Sequence, residues 1–229
     1  MVFLTLPAMW PFLSHTGYWV SDDGHFHLYR LLSLQAAWRQ GHLYPRIFPD
    51  FAFGYGFAVL QFYGPLTYYI ALALTVLLPA VSAMKLTFAL SYPLAALATW
   101  RLARDLWRQE GAAPNELAGI VAAAAYTYVP YHLSDVQLRG ALAESWALVW
   151  TPLLFWLVWR VRFWPLVLIL AALILTHNLS AILVAVPLAL WTLLVERLTF
   201  NVKRSTSKVA LAGIAALLLT AFYWLPVLL

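Results

Sequence analysis

Between Arg162 and Glu196 the chain carries no Asp, Glu, Lys or Arg. The stretch is interrupted in the middle only by His177-Asn178. Backbone in hydrocarbon has no water to bond, so only helices and closed barrels span a bilayer. The alternating apolar–polar strands of a barrel are absent. Comparable apolar runs lie at roughly 2–20, 58–79, 83–103, 117–133, 145–159, 164–176, 179–195 and 209–228. A crossing helix needs about 20 mostly apolar residues. The expectation is an all-α, polytopic transmembrane protein. Composition agrees: 64% of residues are hydrophobic and 10% charged, against about a quarter charged in soluble proteins.

The net charge of +5 is not a nucleic-acid signal, because the basic residues sit in short loops where they set membrane orientation. With no cysteine, disulfides, thiolate metal sites and cysteine nucleophiles are excluded. Residues 2–20 lack a basic n-region and a clear small-x-small cleavage site, so they read as a retained first helix rather than a signal peptide. Residues 24–40 mix Leu28, Leu31, Leu32, Leu34 and Trp38 with Arg30, Gln35 and Arg39, an interfacial amphipathic pattern. Glycine, proline and aromatic punctuation from Gly41 to Leu66 reads as ordered loop.

Two polar, acidic clusters interrupt this background: Ser21-Asp22-Asp23-Gly24-His25-Phe26-His27, and Ser134 to Glu144. Ionisable groups beside a bilayer are costly and are functional candidates by default. Two topologies compete. If 58–79 does not cross, there are seven crossings and both clusters face outward. Nine basic residues then lie inside (Arg101, Arg104, Arg108, Arg160, Arg162, Arg197, Lys203, Arg204, Lys208) and five outside. If 58–79 crosses, there are eight crossings, twelve basic residues inside and two outside, and the clusters fall on opposite faces. Charge counting favours the second arrangement.

The order of short motifs resembles the GT-C superfamily of integral membrane glycosyltransferases. More narrowly, it is similar to bacterial membrane proteins labelled 6-pyruvoyl-tetrahydropterin synthase-related, a label that describes no shared chemistry with the pterin enzyme. The stretches are Asp22-Asp23-Gly24-His25, Gly41 to Arg46, Gly54-Tyr55-Gly56, Tyr63 to Tyr69, Pro130-Tyr131, Arg139 to Glu144, Thr176-His177-Asn178 and Phe222 to Pro226. The resemblance implies about seven crossing helices, with amphipathic and juxtamembrane helices in the first outer loop. It implies one module over 1–229: a first helix (1–20), an outer loop (21–82) and six further helices (83–229). It further implies a shortened form of a longer GT-C-type chain, in a bacterial plasma membrane. The implied activity is sugar transfer from a polyprenyl-phosphate donor on the outer face. An alternative is a non-catalytic scaffold subunit that reuses the module against other membrane proteins.

Under that resemblance Asp22 or Asp23 is the candidate base for the acceptor proton, with Asp23 favoured. Capping of the following helix is the competing role. Asp135 and Glu144 are candidate ligands for Mg2+ or Mn2+, which take oxygen donors. Arg139 is the candidate phosphate contact, against a plain Asp135–Arg139 pair one helical turn apart. His25 is a further binding candidate. His25 and His27 cannot share an ion on a helix, since residues two apart face different ways. His177 and Asn178 are expected either to bond sugar or phosphate or to satisfy a helix end. The expected partners are membrane lipid, a polyprenyl-phosphate sugar and other membrane subunits.

Overall fold

The computed structural model describes residues 1–108, 113–199 and 204–228, so Lys203 lies outside the described residues. Among the described residues the chain is helical, without strands. Its helices are α1 (Val2–Leu13), α2 (Gly24–Arg39), α3 (Val59–Phe62), α4 (Leu66–Leu74), α5 (Ala80–Leu106), α6 (Glu116–Tyr128) and α7 (Pro130–Leu133). After a π-helical turn at Ser134–Arg139 come α8 (Leu142–Trp159), α9 (Phe163–Thr176), α10 (Asn178–Thr199), α11 (Arg204–Leu219) and α12 (Ala221–Leu228).

Among the described residues three helices are long and apolar enough to cross a membrane: Ala80–Leu106, Leu142–Trp159 and Asn178–Arg197. The pair Thr206–Leu219 and Ala221–Leu228, bent by 72°, makes a fourth if it acts as one span. Helices α1 and α9 are apolar but shorter. Prolines sit inside α5, α8 and α10 (Pro93, Pro152, Pro187). Buried hydroxyls in the bundle bond back to carbonyls of the preceding turn, as Thr87 does to Ala83 and Thr127 to Ala123, both at 2.8 Å. That internal pairing lets polar side chains sit in an apolar bundle.

Two expected segments break. The first helix stops at Leu13 rather than near residue 20. Lys85 of α5 donates to the carbonyls of His15 and Gly17, which holds that strand of chain in an irregular path. Segment 58–79 is not one helix. It divides into α3 of 4 residues and α4 of 9 residues around Tyr63-Gly64-Pro65. At 1.5 Å per residue the longer piece rises about 14 Å, well short of a core about 30 Å thick. Neither piece of 58–79 is long enough to cross by itself, and with three candidate spans, or four counting the bent pair, the described residues do not reach the seven-crossing count by length either.

Side-chain contacts sort the helix ends. At one end Asp105 of α5 accepts from Trp156 Nε1 of α8 at 2.8 Å and pairs with Arg160 at 3.6 Å, while Arg104 pairs with Glu116 of α6 at 3.0 Å. At the other end Trp146 of α8 donates to the Thr87 carbonyl of α5 at 3.1 Å. Helices α5 and α8 thus run parallel and pack directly on each other, with α6 returning antiparallel against α5. The chain from Ser14 to Pro79 caps this second end. Its core is Phe12, Leu31, Leu34, Tyr68, Phe88 and Leu142. The Phe12 ring lies edge-on to Trp19 at 4.7 Å and stacked with Phe88 at 5.9 Å. Each such fully buried side chain stabilises by about 1.5–3 kcal/mol.

Gly64 shows how tightly the cap sits. A Cβ there would lie 2.1 Å from the Thr176 carbonyl oxygen at the end of α9. Gly17, by contrast, has nothing within 4 Å. Gly64→Ala is expected to lower stability by about 1–3 kcal/mol, while Gly17→Ala stays within about 0.5 kcal/mol. Thermal unfolding of the two variants in detergent checks this; equal midpoints would mean the cap does not press on α9.

Candidate functional site

The two acidic clusters meet. The indole N–H of Trp19 donates to the Gln137 carbonyl at 3.1 Å. The backbone N–H groups of Asp22 and Asp23 donate to the carbonyls of Leu138 and Arg139 at 3.1 and 2.8 Å. Carbonyls at the end of a helical turn lack intrahelical partners, and the loop after α1 supplies them. The approach needs small residues on both sides. Gly140 has φ +67°, and a Cβ on it would lie 2.6 Å from Ser21 Oγ and 3.0 Å from the Gly24 nitrogen. Chain segments joined by backbone hydrogen bonds lie on the same side of any membrane.

A buried polar chain fastens the junction from beneath. Arg30 Nη1 donates to Tyr68 Oη at 3.0 Å, and Tyr68 lies 2.7 Å from His27 Nδ1. A guanidinium only donates. The Tyr68 oxygen therefore accepts from Arg30 and shares a hydrogen bond with His27 Nδ1. On its other side His27 meets the backbone at Gly140 and Leu142, whose N–H lies 3.4 Å from Nε2. Helix α2, helix α4 and the π-helical turn are thereby linked. His27 is fully buried; burial first, and Arg30 second, push its pKa down to about 3. His25, two residues earlier, is exposed and packs edge-on against Tyr18 at 5.5 Å, outside the buried His27–Tyr68–Arg30 chain. The two histidines occupy different faces, as helical geometry requires.

Around this junction Asp23, Tyr63, Arg139, Glu144 and His177 come within electrostatic reach of one another in successive pairs. Asp23 begins α2 but makes no side-chain cap bond, so the capping role is not realised. Asp23 acts on Tyr63 and Tyr68, and Arg30 stacks over the Tyr63 ring at 4.5 Å. Asp22 is exposed beside them. Arg139 bonds Asp135 Oδ1 at 2.5 Å and Glu144 Oε2 at 2.7 Å, both from Nη1, and its side chain is 47% exposed. Tyr131 donates to the same Glu144 oxygen at 3.3 Å. Asp135 is fully buried, and its Oδ2 has no partner. Burial, and then the neighbouring Glu144 carboxylate, push the Asp135 pKa well above the usual carboxylate range.

The expected metal ligands Asp135 and Glu144 do converge, but on a guanidinium. Among the described residues no group of three or more His, Asp and Glu is placed to hold a metal ion. Mg2+ keeps several waters and needs as few as one or two carboxylates, but here Arg139 already supplies the positive charge between the two. As placed, Asp135 and Glu144 are paired to a guanidinium rather than arranged around Mg2+ or Mn2+. His177 ends α9 with Nδ1 2.6 Å from Ser180 Oγ. Asn178, next in the chain, instead lines an apolar groove of about 490 Å³ between α9, α10, α11 and α12.

Sequence reasoning passed over Arg30, Tyr63 and Tyr68. One signal was present: His27, Leu31 and Leu34 form the buried stripe of α2, so an imidazole lies on the apolar face with Arg30 one turn on. Tyr63 and Tyr68 lie in the stretch Tyr63 to Tyr69 that carries the resemblance, which gave them no role in the site.

No family model matches the chain, and no solved structure matches it. A protein of Lactococcus lactis subsp. cremoris (strain MG1363), described only as uncharacterized, is 26% identical over 161 residues, 68% of this chain. The chain spans about a quarter of that relative's length, 25%. Among the described residues, fold and site together define an all-helical protein with three helices long and apolar enough to cross a membrane and a polar cap at one end.

Two pH responses follow. His27 has a depressed pKa, so its contribution is present above pH 6.5 and lost as pH falls towards 3. His27→Gln is expected to cost about 1–3 kcal/mol near neutrality yet to flatten the acid limb of the stability curve. Asp135 has a raised pKa, so its contribution is present in the acid range and lost as pH rises through neutrality. Asp135→Asn is expected to gain stability relative to the parent at alkaline pH. Midpoints measured across pH 4–9 test both, and parallel curves for parent and variants would overturn these assignments.

Proposed function

We propose that this chain is a GT-C-like transferase module that moves a sugar from a polyprenyl-phosphate donor to a hydroxyl acceptor at the outer face of a bacterial plasma membrane. In this reading seven apolar segments cross. The basic residues near Arg104 and Arg160 lie on the cytoplasmic side, and the cap lies outside. The observation that carries the reading is the backbone docking of Asp22-Asp23 onto Leu138-Arg139, which gathers acid and base in one exposed site.

The chemistry needs a base, a counter-charge and a surface for the lipid. Asp23, exposed and free of a capping bond, takes the proton of the acceptor hydroxyl. The acceptor oxygen bonds to the anomeric carbon as the carbon–oxygen bond to phosphate breaks. The electron pair leaves with the polyprenyl phosphate, and the anomeric centre inverts. Arg139, which spends only Nη1 on its carboxylates, meets the departing phosphate with the rest of its planar fork.

A second reading is a non-catalytic scaffold that packs against other membrane proteins. Helix α10 offers a surface for it: Leu183, Val186, Leu190 and Leu194 are exposed there, an apolar face that either a partner helix or lipid tails can cover.

Reconstituted protein supplied with a labelled polyprenyl-phosphate sugar separates the two. Transfer is expected to fall about 10²–10⁴-fold in Asp23→Asn and to change little in Asp22→Asn. Undiminished turnover in Asp23→Asn removes it as the base. A parent protein that binds no polyprenyl phosphate leaves the scaffold reading standing.

A further inference from the structure

The loop between Phe48 and Phe57 is built to hold an aromatic tip outward. Phe48 and Phe57 exchange backbone hydrogen bonds at 2.9 and 3.1 Å. The Phe48 ring is buried at the root and packs on Phe51 at 5.7 Å. At the tip Ala52 and Phe53 have φ of 54° and 58°, followed by Gly54 and Gly56 at 90° and 84°. A bulky residue with positive φ is an outlier, and it persists only where the surrounding structure over-determines it. What the strained turn presents is Phe53, 103% exposed, and Tyr55, 92% exposed.

The occupant follows from where the loop is rooted and from its charge. No charged residue occurs between Asp50 and Lys85. The root is tied to α12: Arg46 Nη2 donates to the Phe222 carbonyl at 3.1 Å, Gln61 Nε2 to Pro226 at 2.8 Å, and Tyr223 to Phe62 at 3.3 Å. Helix α12 is the C-terminal part of the bent candidate span. Phe62 at the root and Leu228 on α12 are both exposed, so apolar surface continues from the span towards the loop. Aromatic rings favour the headgroup level of a bilayer. We propose that residues 51–57 form a membrane-interface finger, with Phe53 and Tyr55 inserted at the headgroup–acyl boundary beside α12. The finger sets the height of the cap above the lipid, whether the cap is an enzyme or a scaffold.

The absence of native cysteine makes the test direct. Phe53→Cys and Tyr55→Cys are spin-labelled in the full chain, reconstituted in phosphatidylcholine–phosphatidylglycerol vesicles. Collision with oxygen is compared with collision with a water-soluble nickel chelate. Ile182→Cys on α10 marks lipid, and Ala113→Cys in the α5–α6 connection marks water. The expected result is an oxygen-to-nickel ratio at both tip positions on the Ile182 side of the midpoint between the two controls. A ratio on the Ala113 side overturns the proposal. Loss of access to both reagents also overturns it, since that result means protein covers the tip.

Discussion

The architecture of the cap depends on three long-range hydrogen bonds, from Trp19 Nε1, Asp22 N and Asp23 N to consecutive carbonyls at 137, 138 and 139. A helical turn that ends in an apolar environment leaves carbonyls that must be satisfied. Here another part of the chain does so, which costs no water and closes a loop of more than a hundred residues. Gly24 and Gly140 make the approach feasible, because a methyl group at either position meets Ser21 at 2.3 or 2.6 Å. Once the loop is held, the start of α2 is placed, and with it Asp23, His27 and Arg30.

The same junction explains the mixture of charges at the site. Asp135 is buried and Glu144 is half-buried beside it, so two carboxylates compete for one guanidinium. Like charges at close range favour a proton on one of them, and burial selects Asp135. Arg139 and Glu144 then form a pair that is open to solvent on one side. The cluster is polar and nearly neutral as a unit, which suits a position at the edge of apolar helices.

Much of the fold was legible. The apolar runs at 83–103, 117–133, 145–159, 164–176, 179–195 and 209–228 each correspond to helix among the described residues. Hydrocarbon demands intrachain backbone pairing, and that demand is written in composition. The separation of His25 from His27 followed from helical angle alone. Run length misled at 2–20 and 58–79. Apolar character continues there, but Lys85 holds the backbone of 15–17 and Gly64 lies against the Thr176 carbonyl. Neither contact leaves a trace in local periodicity.

By itself, then, the sequence determined that this is a helical membrane-type protein with two acidic clusters and no thiol chemistry, because those properties depend on residue type and on spacing within one element. Tertiary structure decided that the clusters meet, that Asp23 comes within electrostatic reach of Tyr63, and that Arg139 occupies the space between Asp135 and Glu144. These depend on carbonyls and glycines far apart in the chain, where whether two backbones can touch is settled by packing and not by pattern.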